Sequence, residues 1–450
     1  MAFRDLRAAV EHLREANSLL EVAAALSPRH EVAALLDAVS RERGGAVLLT
    51  GVADHQVPVV ANVIHDRTVL AAAMGVAPGE LVERFAERVT APIDPVPATE
   101  APVLEVAVDD VDLPALLPML THYEADSGPY ITTGMASILN PDTGAIERTI
   151  CRMELRGRDR LGLALVNPPL ADTYRAHGRD VEMPVAVTIG LEPATFVSAA
   201  LPAPPGAEKM AYAGGLRQEA VEMVAGPLTG LTVPARAEFL LEGVLVPGEE
   251  RDDGPFGEIS GYSMVFESTP TFEVRRVHHR LSPLYHALFP TGPEGDLITA
   301  LTVEAAIVPQ LRRVYRFAGD LHFVPGTFGM SLVVQVAPAD KGRVRGLLYH
   351  LLSLERIKKV VLVAEDVDPT DPREVEWSVI TRVQPDEDLV VIGGLFGHPI
   401  DPSCRPGQRT ARVGIDATGF ERVGGRVKAR VSAEAAERAA AALAQVAAGR

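Results

Sequence analysis

Apolar residues recur along this chain at two different periods, and the changeovers between them mark its layout. Leu6, Ala9, Val10, Leu13 and Ala16 fall on one face of a helix. Residues 30–42 repeat that pattern until Gly44-Gly45 closes it. The unbroken run Ala46-Val47-Leu48-Leu49 reads as a buried strand, and residues 57–63 as a further extended piece. Helical spacing returns over 68–74 and 78–89, before the stiff connector Pro92-Ile93-Asp94-Pro95-Val96-Pro97. These features predict a mixed α/β N-terminal domain over residues 1–100.

Beyond residue 103 strand-like segments dominate: 131–139, 148–155, 162–166, 183–189, 239–246 and 272–288. Turns such as Asn140-Pro141-Asp142-Thr143-Gly144 separate them, with helical inserts at 171–178 and 194–201. The pattern predicts a mostly antiparallel sheet or barrel in a central domain over 101–310, ending near a helix at 297–312. Over 311–450 the period alternates: strand 328–336, helix 341–354, strand 358–364, helix into strand at 373–383, and strand 389–392. Ser432 can cap a last Ala/Glu-rich helix reaching about residue 448. The Ala stripe of that helix could pack on a neighbouring subunit or on its own domain. The fold class is therefore α+β and multidomain.

Composition changes the picture in a few respects. The net charge of −17 argues against nucleic-acid or anionic-membrane partners, which would repel the chain. Two cysteines, Cys151 and Cys404, cannot build a disulfide framework and suit a reducing cytoplasm. The first residues lack a signal-peptide core, and no apolar run is long enough to span a membrane. Ala- and Arg-rich usage is associated with high-GC bacteria.

Three charged residues carry candidate chemistry. Asp253 and Glu258 lie five apart around Gly254-Pro255-Phe256-Gly257, which reads as a tight turn between a strand ended by Pro247-Gly248 and one resuming at 259–264. Spacing alone makes them a solvated acidic hairpin. Arg152 lies within the apolar stretch Thr149-Ile150-Cys151-Arg152-Met153-Glu154-Leu155. Alone it reads as an outward-facing residue; buried, it would need a carboxylate or an anionic ligand. His278-His279 and His286 read as core or surface residues. Asp366, Asp368 and Asp371 form a solvated turn without the EF-hand pattern.

Several short blocks, taken in order, are more specific. They are Asp112-Leu113-Pro114-Ala115-Leu116-Leu117-Pro118, Thr121-His122-Tyr123-Glu124, Gly128-Pro129-Tyr130-Ile131-Thr132-Thr133-Gly134-Met135, Gly254-Pro255-Phe256-Gly257-Glu258, Glu365-Asp366-Val367-Asp368, Thr381-Arg382-Val383-Gln384-Pro385-Asp386 and Gly414-Ile415-Asp416-Ala417-Thr418. Together they make the chain resemble the UbiD-type decarboxylases, which use prenylated FMN. The resemblance implies a central flavin-reductase-like split β-barrel and a C-terminal α/β assembly domain. It implies reversible, non-oxidative decarboxylation of an α,β-unsaturated or (hetero)aromatic acid. Arg152 would bind the carboxylate, and Asp253 and Glu258 would handle the proton. Asp253 stands where many relatives carry Glu. Thr132, Thr149 and Ile150 fall on cofactor-facing positions.

The same resemblance marks departures. A metal-ligating Asn is expected where Glu147 stands, a His near Leu170, and a Glu where Lys209 stands. Glu147 and Glu208 remain as oxygen donors for a divalent metal such as Mn, with a monovalent cation. Alternatively, Lys209 neutralises the cofactor phosphate directly. The implied partners are a small carboxylic acid, a flavin prenyltransferase as cofactor supplier, and further copies of the chain in a dimer or higher homo-oligomer. Two other readings stay open: an enzyme of this fold using another cofactor or none, and a non-catalytic subunit or scaffold.

Overall fold

The computed structural model describes residues 3–42, 44–420, 422, 428–429 and 431–448. The chain forms two compact units, Met1–Val314 with Phe323–Ser331 and Phe396–Thr410, and Tyr315–His322 with Leu332–Leu395 and Ala411–Arg450.

The first unit is built on six strands: β1 (Tyr130–Leu139), β2 (Ile146–Leu155), β3 (Arg160–Leu163), β4 (Met183–Ile189), β5 (Phe239–Gly257) and β6 (Ser263–His279). β1 pairs with β2 and β4, β2 with β3, β3 with β6, and β5 with both β4 and β6, always antiparallel. The pairings thus close into a circuit. Successive side chains on a strand take opposite sides. Ala136, Val187 and Leu241 accordingly join the apolar cluster inside the ring, with Cys151, Met153 and Phe272. Their neighbours Met135, Ala186 and Leu240 join a second cluster outside it. Two helices, α1 (Pro193–Ala200) and α2 (Lys209–Arg217), cover that outer side with Phe196, Val197, Met210 and Leu216.

The N-terminal sheet runs Leu19–Val22, Ala46–Leu49, Val59–Ala61 and Tyr285–Ala287, so its last strand comes from far along the chain. The helix Leu6–Glu15 buries Leu6, Ala9, Val10 and Leu13, and the Asp5 carboxylate accepts from Ala8 N at 3.0 Å. Its Arg7 donates twice to the fully buried Glu238, at 2.9 Å each, which also accepts from Arg280 at 3.2 Å. In the second unit a five-stranded sheet runs Ala318–Phe323, Ser331–Val336, Lys359–Ala364, Arg409–Ala417 and Leu389–Phe396.

The structure corrects several boundaries. β5 does not end at Pro247-Gly248. Its pairing with β6 continues to Gly257, and the dipeptide is absorbed as an irregularity between Leu245 and Glu250. The turn expected at residues 254–257 falls at 258–262, where Glu258 N donates to Tyr262 O at 3.0 Å. Residues 372–382 are helical throughout, because Asp371 caps them by accepting from Arg373 N at 2.8 Å. α2 escapes the sequence pattern because Gly214-Gly215 lowers its helix propensity. Ser432 Oγ accepts from Ala435 N at 3.3 Å at the start of the last helix, Ala433–Ala448. No described helix is long and apolar enough to cross a membrane.

Phe272 is fully buried inside the ring. Phe272→Ala is expected to lower stability in chemical unfolding by about 3–5 kcal/mol. A change below about 1 kcal/mol would mean that the ring interior is not a packed core.

Candidate active site

β2 carries the site. Cys151 and Met153 point into the ring, which leaves Arg148, Ile150 and Arg152 on the outer side of the strand. Across from Arg152 the β1 strand bulges. Ile131 pairs with Met153 and Gly134 with Cys151, so Thr132 and Thr133 together oppose the one arginine. Bulges of this kind re-aim side chains beside active sites.

Arg152 is nearly buried, with 8% of its surface exposed. A guanidinium in that position is costly unless paired. Here Nε donates to Asp253 Oδ1 at 2.7 Å, and Nη2 lies 2.6 Å from the same oxygen. Nη2 also reaches Asp253 O at 3.4 Å, and Nη1 donates to Glu258 Oε1. The guanidinium is stacked on Phe266 and Phe256, 4.2 and 4.7 Å from the ring centroids. Sequence spacing alone made Asp253 and Glu258 a solvated hairpin; the structure instead buries Asp253 completely and closes both acids on Arg152.

Asp253 is held under opposing influences. Burial pushes its pKa up to about 6, with Arg152 pulling the other way and failing to win. Its Oδ2 has no hydrogen-bond partner. A carboxyl group so placed can exchange a proton in the neutral range. Glu258 differs in being partly open, with 19% of its side chain exposed. Cys151 is no nucleophile, since burial raises its thiol pKa to about 12.

Backbone geometry fixes these acids. Gly254 has φ of +114°, and a Cβ there would lie 2.6 Å from Met264 O. Asp126 accepts from His122 N at 3.0 Å, Tyr123 N at 2.9 Å and Gly257 N at 2.9 Å, so it ties the 121–131 segment to the end of β5, next to Glu258. Arg156 donates to the carbonyls of Thr269 and Arg251, at 3.1 Å each, across the irregular end of β5 and β6. Asp126, Arg156 and Phe266 are supports that sequence reasoning missed; Asp126 falls between two resemblance blocks, outside both. His122 is buried, and desolvation lowers its pKa to about 4, so it is a neutral structural residue.

The expected cofactor and metal residues separate into two groups. Thr132 Oγ1 accepts from Leu288 N at 2.9 Å beside the bulge. Ile150 is half-buried on the outer side between Arg148 and Arg152. Thr149 is opposite Ala136 and turns inward. Lys209 is buried at the start of α2, donates to Ala199 O at 2.8 Å, and has its pKa lowered to about 8 by burial.

Glu147 and Glu208 do not form one metal site, contrary to the sequence expectation. Glu147 pairs across from Ile138 on the inner side and accepts from Asn140 and Thr173, at 2.7 Å each. Glu208 lies outside the ring, with its oxygens 3.0 and 3.3 Å from Nε and Nη2 of Arg148. Both carboxylates are committed, and on opposite sides of β2. Among the described residues no group of three acids, histidines or cysteines could hold a metal ion. The residues present therefore do not fit a metal held by Glu147 and Glu208.

Comparison with known proteins places this fold. Models of the N-terminal, Rift-related and C-terminal domains of 3-octaprenyl-4-hydroxybenzoate carboxy-lyase, the UbiD domains, match residues 10–89, 95–293 and 296–417. The chain belongs to the UbiD family and is a carboxy-lyase. It is 31% identical over 431 residues to anhydromevalonate phosphate decarboxylase of Methanosarcina mazei, covering 93% of this chain and 96% of that protein. Among solved structures, the UbiD-class enzyme HmfF from Pelotomaculum thermopropionicum in complex with FMN superposes with a TM-score of 0.90, at 29% identity, over 97% of this chain and 98% of that one. The apo 3,4-dihydroxybenzoic acid decarboxylase from Enterobacter cloacae gives a TM-score of 0.87 at 25% identity, over 96% and 98% of the two chains.

Gly254→Ala is expected to cost roughly 1–3 kcal/mol of stability through its positive φ and to displace Asp253 from Arg152. Thermal melting and decarboxylase assays check both parts. Unchanged activity would show that the backbone at Gly254 does not set the position of Asp253.

Proposed function

We propose that this chain catalyses reversible, non-oxidative decarboxylation of an α,β-unsaturated or (hetero)aromatic carboxylic acid, using prenylated FMN. The observation that carries the reading is the nearly buried Arg152, clamped between Asp253 and Glu258 beside a partnerless carboxylate oxygen. The fit of the cofactor rests on the outer side of β2. There half-buried Ile150 stands between two cations, with Thr132 alongside, which suits a flat-bodied anionic group. Bound there, prenylated FMN would supply the electron sink for the carbon that loses CO2.

The protein side of the chemistry follows from the arginine. A guanidinium has five N–H donors. Asp253 and Glu258 engage three of them, Nε and one on each Nη, which leaves one N–H on Nη1 and one on Nη2. The substrate carboxylate docks there, and its geometry is set by Asp253, which holds the other half of the guanidinium. The phenyl faces of Phe256 and Phe266 exclude water from the leaving carboxylate. After the C–C bond breaks, Glu258 returns a proton to the carbon and recovers one from solvent. Asp253 orients Arg152 in its ionised form.

The broader organisation belongs to the same proposal. Domains at 1–100, 101–310 and 311–450, with a split barrel at the centre, are supported by the closed circuit of β1 to β6 and by the three matched family models. A flavin prenyltransferase supplies the cofactor, the chain works as a homo-oligomer, and two free cysteines suit the cytoplasm.

Co-expression with a flavin prenyltransferase and anaerobic purification test the reading. The expected result is a flavin absorbance spectrum and a released prenylated FMN identified by mass spectrometry. Protein that emerges without any flavin would sink it. The pH profile tests the role of Asp253. Its pKa is raised to about 6, so the ionised form dominates above that pH and is lost below it. The rate should fall about tenfold per pH unit below 6. A rate that instead climbs below pH 6 would make neutral Asp253 the proton-returning acid.

A further inference from the structure

We propose that two cations of the chain itself, Arg148 and Lys209, neutralise the phosphate of the bound flavin nucleotide in place of a divalent metal, and that Glu208 is the carboxylate keeping Arg148 paired until the phosphate displaces it. This rests on the reading above that a flavin nucleotide binds along β2.

Position is the first argument. Arg148 and Arg152 share the outer side of β2 with Ile150 between them. Four residues of strand put their Cα atoms about 13 Å apart. A cation, an apolar step and a second cation match a ligand assembly with anionic ends and a flat body. Arg152 takes the carboxylate end, which leaves Arg148 for the phosphate end.

The partners of each cation supply the second argument. The Arg148 side chain is wholly buried, whereas 32% of the Glu208 side chain is exposed. Nη1 of Arg148 is anchored independently by Ser137 Oγ at 3.0 Å and Thr232 O at 2.7 Å. Glu208 holds only the Nε and Nη2 edge, the fork that binds a phosphate through two parallel bonds. The Glu208 carboxylate can therefore turn to solvent while Arg148 stays in place. Lys209, the next residue, is buried with a single hydrogen bond to a carbonyl, and among the described residues no carboxylate lies within 4.0 Å of it. A buried ammonium without a counter-charge is costly, and an arriving phosphate would offset that cost. When Glu208 leaves, Met210 N at the start of α2 is freed as a further donor.

Among the described residues a metal has no comparable place. Glu147 is on the inner side of β2, already satisfied by Asn140 and Thr173. Glu208 is outside and paired with Arg148.

Flavin fluorescence titration of the flavin-free full-length chain with FMN tests this, with and without EDTA and with added Mn2+. The proposal predicts an FMN Kd that is the same within about twofold in all three conditions. Lys209→Met should weaken FMN at least about tenfold and leave riboflavin, which lacks the phosphate, unaffected. Glu208→Gln should tighten FMN severalfold by removing the competing charge. Arg148 carries buried bonds to Ser137 and Thr232, so its loss threatens the fold itself, whereas that of Lys209 or Glu208 does not; thermal melting confirms that both variants fold. FMN binding that needs metal, or that Glu208→Gln weakens, would overturn the proposal while leaving the flavin reading intact. No FMN binding under any condition would overturn the flavin reading and this inference with it.

Discussion

A guanidinium taken out of water must be repaid by partners in fixed positions, and Arg152 imposes that demand on everything around it. Two carboxylates, one backbone carbonyl and two aromatic faces meet it. Each of these needs its own support. Asp253 is delivered by an irregular stretch of β5 whose register against β6 shifts on both sides of it. Glu258 begins the turn, anchored through Asp126 and Gly257. The bulge at Thr132-Thr133 opens β1 opposite the arginine. The closed circuit of strands is the frame on which these departures from regularity can be held.

The two sides of β2 divide the work. Its inner side is core, with Cys151 and Met153 in the ring cluster. Its outer side presents Arg148, Ile150 and Arg152, with Glu208 at the start of α2 on Arg148 and the ends of β5 and β6 on Arg152. That split accounts for two otherwise unrelated features. It sends Glu147 to a structural role on Asn140 and Thr173, and it gives Glu208 to Arg148. The candidate site thus has two cations, Arg148 and Arg152, on one side of the strand, and a buried acid whose pKa near 6 reflects burial outweighing an adjacent positive charge.

Much of this was legible in the sequence where period carried it. The 3.6-residue spacing of Leu6, Ala9, Val10 and Leu13 gave the first helix, and alternation gave the strands of the ring. The candidate triad was legible only through the order of short blocks, because Arg152 and Asp253 are 101 residues apart and nothing local joins them. The register shifts of β5 were not legible: Pro247-Gly248 reads as a stop, and only the facing strand shows that pairing resumes. Asp126 was hidden because its partners are backbone N–H groups, and Arg156 because its partners on Arg251, Thr269 and Thr271 lie far along the chain. The misplacement of the metal residues had a signal that went unused. Glu147 and Arg152 are five apart, and an odd spacing on a regular strand puts two side chains on opposite sides.

The central claim is that Arg152 holds the carboxylate that leaves. The most direct measurement is CO2 release from a panel of α,β-unsaturated and heteroaromatic acids by protein loaded with prenylated FMN, in the original chain and in Arg152→Ala with equal flavin content. The account predicts release by the former and a loss of at least about a hundredfold in the latter. Equal rates from the two proteins would contradict it.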